Sequence, residues 1–309
     1  MPELPDITLY ADALRPRALN QPLRALTIKS LFLLRSADPA PDECLGRPVV
    51  EVSRLGKRIV LSLDGDLHLV LHLMIAGRLH WKPSGTRPKS RIDLAVFDFP
   101  SGALLLTEAG TRKRASLHIC RGRDDLLAHD PGGIDPLTAD LAAFAAALTR
   151  ENRTLKRALA SPRLFSGIGN AYSDEILHAA RLSPLKLTSH LTPDETARLH
   201  LATRDTLTEW IARLRAQFGY DPATGAPTPD ARFPGVGDIT AFRPDFAAHG
   251  RYGLPCPACA TPIQRIVYAE NETNYCPTCQ TDGKLLADRA LSRLLKDDWP
   301  RTIEDWERG

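Results

Sequence analysis

The sequence lacks the long apolar runs and the targeting segment that would place it in or across a membrane. None of its apolar stretches approaches the roughly 18 uninterrupted residues that a bilayer-spanning helix requires. The first residues, MPELPDITLY, carry acids and prolines where a secretory signal would carry a basic stretch followed by an apolar run. We therefore expect a soluble, cytoplasmic protein of bacterial type that makes no membrane contacts.

Cysteine is scarce, which argues against a disulfide scaffold. The 309 residues include six cysteines, and four of these lie close together near the C-terminus. Cys44 and Cys120 stand apart from that group and from each other. In a reducing compartment this distribution predicts one metal site and two incidental thiols rather than three disulfides.

The sequence also has little net charge, so the overall charge does not indicate a type of partner. Its 40 Lys and Arg against 37 Asp and Glu give +3 at pH 7. Phosphate groups are bound by a local cluster of basic residues, whatever the net charge of the whole chain. Two segments are locally basic. Residues 111–123 contain Arg112 and no acid, and residues 150–163 contain five basic side chains against Glu151 alone. Both are candidate phosphate contacts, although a basic run more often forms a solvated face.

Hydrophobic periodicity divides the chain into an N-terminal sheet region and a later helical region. Residues 3–16 show helical spacing, with an apolar stripe that runs from Ile7 to Leu14. Short alternating segments then predict an antiparallel sandwich or barrel; they are residues 48–53, 58–63, 67–73, 92–98 and 103–107. Helical spacing returns over 138–216, after the linker-like segment DPGGIDPL, and a Gly- and Pro-rich passage at 218–255 leads to the cysteine cluster.

The most specific motif is formed by the four clustered cysteines. Two Cys-x2-Cys pairs are separated by 16 residues, about the length of a β-hairpin; they are Cys256, Cys259, Cys276 and Cys279. Thiolates two residues apart converge on one tetrahedral ion, and two such pairs fill its coordination shell. A redox pair or chance spacing is the alternative, but it would require both pairs to be accidental. The spacing therefore predicts one structural zinc ion.

Two further segments carry candidate chemistry. In LFSGIGNAYSDE at 164–175, Gly167 and Gly169 predict a tight turn just before a helix, whose N-terminus favours a phosphate, and Asn170 adds a neutral donor. At the N-terminus, removal of Met1 would expose the secondary amine of Pro2 beside the carboxylate of Glu3. An amine with a pKa well below that of lysine suits attack on a sugar carbon with formation of a Schiff base.

These signals, in this order, resemble the formamidopyrimidine-DNA glycosylase and endonuclease VIII family. The resemblance extends from residue 1 to about residue 281 and rests on six motifs; they are MPELPD at 1–6, GK at 56–57, HLMIAGRL at 72–79, GIGNAYSDEIL at 167–177 with RLSP at 181–184, HGRYGLPCPAC at 249–259 and CPTCQ at 276–280. It implies an α+β protein of two domains, an N-terminal β-sandwich with an N-terminal helix and a C-terminal helix-two-turn-helix domain with a β-hairpin zinc finger.

The resemblance also implies roles for individual residues. Pro2 would attack C1′ of the damaged nucleotide, Glu3 would be the acid/base group, and Lys57 an essential cation and proton donor. Phosphates around an extruded nucleotide would be contacted by Lys156, Asn170 and Arg251. Extrusion is required because C1′ and the base cannot be reached inside a stacked duplex.

Two departures from the family pattern are evident. Asn271 stands in the finger hairpin where the family usually carries an arginine, so grip on the phosphates and δ-elimination are both in doubt. The usual wedge segment is rewritten as EAGTRKRA at 108–115, which leaves Arg112 as a candidate contact and Met74 or Ile75 as the apolar wedge.

The predicted organisation comprises a catalytic sandwich at 1–135, a helix-two-turn-helix domain at 136–248, a zinc finger at 249–281 and a tail at 282–309. An amphipathic helix over 284–296 in the tail would pack on the body or on a partner. We expect a monomeric, nucleoid-associated glycosylase and abasic-site lyase that acts on oxidised or ring-opened bases in duplex DNA. One alternative is a relative that binds damaged DNA, or cleaves abasic sites, without efficient base excision; another is a zinc-ribbon DNA-binding protein.

Overall fold

Two structural units make up the part of the chain that the structure describes. The structure is a computed structural model, and it describes residues 1–235, 237–268, 271–287, 294 and 300–308. Unit 1 comprises residues 1–131 and 209–240, and unit 2 comprises residues 132–208 and 241–309. The chain therefore leaves unit 1 after residue 131, returns to it at residue 209 and leaves it again after residue 240.

Unit 1 begins with helix α1 (Leu4–Ala18), close to the predicted bounds. Its first turn is capped by Asp6, whose Oδ2 accepts the backbone N–H of Glu3 at 2.9 Å. The predicted apolar stripe is buried, and the hydroxyl of Tyr10 accepts the backbone N–H of Leu79 at 3.3 Å. The helix also buries Asp12, which binds Arg15 and, at 2.8 Å, the Nε of Arg215.

After α1, the chain of unit 1 forms a sandwich of two four-stranded antiparallel sheets. One sheet has the order β1-β6-β7-β5 and the other β2-β3-β4-β8. The strands are β1 (Ala25–Ile28), β2 (Val49–Leu55), β3 (Arg58–Leu63), β4 (Leu67–His72), β5 (Gly77–Lys82), β6 (Asp93–Phe99), β7 (Gly102–Glu108) and β8 (Ser116–Arg121). Leucines and phenylalanines from both sheets share one core with α1, so the predicted sandwich with an N-terminal helix is confirmed.

Three strands were not predicted from the sequence. β1 has only four residues, β5 alternates apolar residues with Arg78, His80 and Lys82, and β8 interrupts its apolar residues with Ser116 and His118. The segment 111–123, interpreted as a basic cluster, thus contains a whole edge strand. It continues into the short helix α2 (Gly122–Leu127).

Unit 2 contains the predicted helical region and the cysteine-bearing hairpin. Its helices before the hairpin are α3 (Leu141–Thr149), α4 (Leu155–Leu159), α5 (Asn170–Ala179) and most of α6 (Pro193–Gln217), within which the division between the units falls. Strands β9 (Gln264–Tyr268) and β10 (Asn271–Tyr275) form an antiparallel hairpin, followed by helix α7 (Pro277–Thr281).

The start of the predicted tail helix over 284–296 is not helical. Lys284 forms a β-bridge with Thr302, and residues 285–287 are not helical, whereas Leu294 is helical. The backbone at the start of this segment is held by a hydrogen bond, because the N–H of Leu286 donates to the hydroxyl of Tyr275 at 2.8 Å. Residues 288–293 and 295–296 of the predicted helix lie outside the described residues. A short helix, α8 (Ile303–Arg308), follows. Among the described residues, no helix combines the length and apolarity needed to cross a bilayer.

Candidate functional site

In unit 1 the N-terminal amine lies in a partly buried, charged environment. Pro2 and Glu3 are both buried. Burial lowers the pKa of the terminal amine, which belongs to Met1; Glu3 and Asp6 oppose this effect, whereas Arg78 and Lys57 add to it. The surroundings of the N-terminus therefore favour an unprotonated amine, which is the form that can attack carbon. The structure thus brings together the predicted residues Pro2, Glu3 and Lys57, and it adds Arg78 and Asp6.

Lys57 is positioned by a two-residue hairpin turn. Leu55 of β2 pairs with Arg58 of β3, and Gly56 adopts a φ of 61° between them. A side chain at position 56 would be strained there. Lys57 is one cause, after burial and Arg58, of the lowered pKa of His72, which is about 4. His72 is therefore neutral near pH 7.

Met74 and Arg112 lie on two neighbouring loops of unit 1. The turn 73–77 is tight, since a Cβ on Gly77 would lie 2.2 Å from the carbonyl oxygen of Leu73. Met74 has a φ of 53° and is half-buried, whereas Ile75 is 54% exposed. The apolar side chain that projects most into solvent here is therefore Ile75, and the wedge role of Met74 stays a prediction.

The loop after β7 is held by a buried carboxylate. The carboxylate of Glu108 is 2% exposed and accepts the backbone N–H groups of Arg114, at 2.9 Å, and Ala115, at 3.2 Å. The carbonyl oxygen of Glu108 also accepts from Lys113. This clamp leaves Arg112 exposed at the loop tip, where a basic side chain can meet a phosphate.

In unit 2, Asn170 and Lys156 meet at the start of α5. Asn170 begins the helix after Gly169, and its Nδ2 donates to the carbonyl oxygen of Glu272 in β10 at 2.9 Å. The ammonium of Lys156 donates to the carbonyl oxygen of Asn170 at 2.6 Å and to Asp174 Oδ1 at 2.5 Å. Lys156 is only 7% exposed. Its ammonium is thus held inside unit 2, and its phosphate contact stays a prediction.

Asp174 connects α5 to the segment that leads into the finger. Its second oxygen lies 2.7 Å from Nδ1 of His249 and 3.5 Å from Nδ2 of Asn274. The neighbouring Glu175 accepts backbone N–H groups of residues 247–249 at 2.7 to 2.9 Å. Two adjacent carboxylates therefore fix the finger hairpin and its preceding segment to the helix that begins at Asn170.

Arg251 and Asn271 are the remaining predicted DNA contacts. Arg251 donates to the carbonyl oxygens of Pro244, at 3.3 Å, and Pro255, at 3.0 Å. Asn271 is exposed at the first position of β10. The nearest cation on the hairpin is Arg265, which lies over the ring of Tyr252 at 4.3 Å and pairs with Glu272 at 3.3 Å.

The four predicted cysteine ligands converge as their spacing requires. Their Sγ atoms all lie within 4.8 Å of one another, with separations of 3.4 Å for Cys259–Cys276 and 4.0 Å for Cys256–Cys279. Zn–S bonds of about 2.3 Å in a tetrahedron place the sulfurs about 3.8 Å apart, so the donor set fits one structural zinc ion. The hairpin has little core besides Ile263 and the cysteines, and the metal therefore supplies much of its stability.

Sequence reasoning missed several residues of these sites. Nε2 of His178, on α5, lies 3.2 Å from Cys256 Sγ, where an imidazole N–H can donate to a metal-bound thiolate. Gln280 spans two parts of unit 2, accepting from the N–H of Cys276 and donating to the carbonyl oxygen of Leu182. Neither contact has a sequence signal, because each depends on residues far apart in the chain.

Comparison with family models accounts for most of the chain. Residues 1–116 match the formamidopyrimidine-DNA glycosylase N-terminal domain, residues 132–218 match its H2TH domain, and residues 253–281 match the zinc finger found in FPG and IleRS. Together with the sandwich and the four-cysteine hairpin, these matches define a zinc-finger DNA glycosylase of the helix-two-turn-helix class. The chain belongs to the formamidopyrimidine-DNA glycosylase family.

Individual relatives support the same assignment over nearly the full length. A formamidopyrimidine-DNA glycosylase of Thermus thermophilus is 34% identical over 296 residues, covering 92% of this chain and all of the relative. The crystal structure of the MutM (Fpg) protein from Thermus thermophilus has a TM-score of 0.71 at 31% identity, over 90% of this chain and 98% of its own. Lactococcus lactis Fpg in complex with N7-benzyl-Fapy-dG DNA has a TM-score of 0.76 at 23% identity, over 91% of this chain and all of its own, and supports the fold alone.

Proposed function

We propose that the chain excises oxidised or ring-opened bases from duplex DNA and then nicks the strand at the resulting abasic site. The observation that carries this proposal is the environment of the N-terminal amine. The terminal amine of the chain, that of Met1, is half-buried and has a lowered pKa beside Glu3, Lys57 and Arg78; an amine freed on Pro2 in the same surroundings is suited to attack an anomeric carbon. A DNA-binding zinc-ribbon protein that performs no chemistry has no need of this arrangement.

The reaction begins once Met1 is removed and the nitrogen of Pro2 is free. That nitrogen bonds to C1′ as the glycosidic bond breaks and the base leaves with a proton. Ring opening then gives a Schiff base between Pro2 and C1′, with Glu3 moving protons at the sugar. Loss of a proton from C2′ expels the 3′ phosphate, and hydrolysis of the imine releases the product. Lys57 is the cation beside the departing phosphate.

DNA contacts are assigned to both units. In unit 1 the exposed Arg112 is proposed to bind a phosphate, and in unit 2 Asn170 and Arg251 are proposed to do so, with Lys156 holding the backbone of Asn170 in place. The four-part domain division at 135, 248 and 281 is likewise our proposal for how these functions are distributed along the chain.

Borohydride trapping on lesion-containing and abasic oligonucleotides tests the proposal. A protein that carries a cleavable N-terminal tag should give no covalent band while it is tagged, because acylation removes the nucleophilic nitrogen of Pro2. The same protein should trap both substrates after cleavage exposes Pro2. Pro2→Gly should lose most of the trapping and keep DNA binding.

Three other outcomes separate the alternatives. A covalent band on the abasic oligonucleotide alone favours the lyase without efficient base excision. The absence of any band after tag removal favours a DNA-binding protein with no catalytic role. Undiminished trapping by the tagged protein would contradict the proline mechanism and indicate that Lys57 is the nucleophile.

A further inference from the structure

A second group of metal-ligand side chains lies in unit 1, separate from the finger cysteines in the sequence. Cys120, Asp125 and His129 bring a sulfur, a carboxylate oxygen and an imidazole nitrogen within 4.8 Å of one another. His118 adjoins them, because its ring centroid lies 4.2 Å from that of His129. These four side chains, all within residues 118–129, therefore bring together one thiol, one carboxylate and two imidazoles.

The fold places these groups together on the outer face of the second sheet. Leu117 and Ile119 of β8 face the sandwich core, so His118 and Cys120 point to the opposite side. On that side Cys120 is fully buried against Val60 and Val70. The cysteine therefore occupies a fixed position rather than a mobile surface one.

The remaining two ligands are supplied by the chain that folds back after β8. Gly122 adopts a φ of 83°, which turns the chain into α2. Leu126 of α2 packs against the group around Cys120, and Asp125 is oriented because its Oδ2 accepts the backbone N–H of Arg121 at 3.0 Å. His129 follows the helix and is half-buried beside His118.

We propose that Cys120, Asp125 and His129 form a second zinc site, with the ring of His118 beside that of His129. Zinc accepts mixed sulfur, nitrogen and oxygen ligands in a tetrahedron, and three such donors leave its fourth position to His118 or to a water molecule. A thiolate and a carboxylate together also neutralise the two charges of the ion. This ligand set differs from the four thiolates of the finger, so the two sites can be distinguished spectroscopically.

Binding of the ion requires the thiolate form of Cys120. It breaks the S–H bond, forms a Zn–S bond and releases the proton to solvent.

The surrounding charges make this site weaker than the finger. Arg58 and Arg35 both act on His118 and disfavour a further cation. Asp130 acts on Arg58 and offsets part of that effect, and the neighbouring His72 is neutral near pH 7. We therefore expect a mild chelator to remove the Cys120 zinc before the finger zinc.

Zinc content of the full-length protein is the direct test. After incubation with zinc and removal of the excess, the wild type should retain about two ions per chain, and Cys120→Ser and His129→Ala about one. Cys44→Ser is the matched control, since Cys44 is another fully buried cysteine of unit 1 whose pKa is raised to about 11 by burial. It should retain as much zinc as the wild type.

Cobalt substitution gives a second readout. Cys120→Ser should lose one set of absorption bands from a site with a single thiolate and keep those of the four-thiolate finger. His129→Ala removes a half-buried side chain and leaves the core around Cys120 in place. It therefore tests the second zinc site even if Cys120→Ser does not fold. One zinc per wild-type chain, or equal zinc in wild type and His129→Ala, overturns the proposal.

Discussion

At the scale of single residues, Arg78 is one of the charged neighbours of the N-terminal amine. It is among the groups that lower the amine pKa, and it is held in place by donating to the carbonyl oxygen of Gly77 at 2.7 Å. The amine attacks only when unprotonated, so a lower pKa extends activity to lower pH. We expect Arg78→Gln to raise the amine pKa and to move the rise in trapping rate to higher pH.

Trapping rates measured across pH with saturating abasic DNA check this expectation. Lys82→Gln is the matched control, because Lys82 lies on the same strand, β5, carries the same charge and is not among the groups that shift the amine pKa. Its pH profile should match that of the wild type. An Arg78→Gln profile that also matches would show that Arg78 does not act on the amine.

Asn271 is the hairpin residue that we expect to limit the second elimination. A neutral amide cannot supply the cation that a second elimination needs at the phosphate, so we expect β-elimination products to dominate. Glu272 already pairs with Arg265, so we expect it to compete less for an arginine introduced at position 271. Asn271→Arg should strengthen binding at moderate salt, steepen the salt slope by roughly one unit and increase the one-nucleotide gap product.

Gel separation of the two 3′ ends and a salt titration of binding measure these effects. Glu270→Gly combined with Asn271→Arg removes the other flanking acid. Ala258→Arg adds the same charge to an exposed position elsewhere in the finger and should leave the product ratio unchanged. A wild-type protein that already yields mostly the 3′-phosphate end would contradict the role given to Asn271.

At the scale of secondary-structure elements, the buried pair Lys156–Asp174 joins α4 to α5 and, through His249, to the chain before the finger. Asp174→Asn would leave the buried ammonium of Lys156 without its countercharge. Breaking such a pair costs about 3 kcal/mol, or a fall in Tm of roughly 6–12 °C. DNA affinity should fall as well, because Asn170 and the hairpin lose a shared anchor.

Thermal unfolding and DNA binding of Asp174→Asn are compared with those of Glu195→Gln. Glu195 pairs with Lys186 at the same 2.5 Å, but both side chains are partly exposed, at 19% and 28%. Removing that charge should change the free energy of unfolding by less than about 1 kcal/mol. Equal Tm values for the two variants would show that the Lys156–Asp174 pair does not stabilise unit 2.

Which elements could be predicted from the sequence follows from the range of the interactions involved. The zinc ligands were predictable because local spacing alone determines their geometry, and α1 because its apolar stripe is continuous. Lys57 was assigned only through resemblance, whereas Pro2 was already a candidate as the secondary amine that removal of Met1 would expose. His249 and Asp174 were beyond prediction, since residues 75 positions apart meet only after the whole unit has folded.

At the scale of the whole molecule, zinc binding and folding are coupled in one unit only. We expect Cys276→Ser to unfold the hairpin and to lower DNA affinity sharply, because the hairpin core is too small to persist without metal. Unit 1 should remain folded, since its core contains no finger residue. Limited proteolysis and binding at physiological salt report on the two effects.

Cys44→Ser, which removes a buried cysteine of unit 1 outside the zinc ligands, is the control for this experiment. It should retain a protease-resistant finger and bind DNA like the wild type. Normal DNA binding by Cys276→Ser at physiological salt would show that the finger is dispensable for DNA affinity.

The burial of Asp12 bears on the order in which the protein can be made. Its carboxylate is fully enclosed, and Arg215, one of its partners, comes 203 positions later in the chain. The same carboxylate fills the space beside Gly225, where a Cβ would lie 2.7 Å from it. A ribosome that has released only the first 131 residues has therefore delivered every strand of the sandwich but not the arginine that helps neutralise its first helix. The ion pair between Asp12 and Arg215 can therefore form only after the chain has passed through residues 132–208 of unit 2 and returned to unit 1.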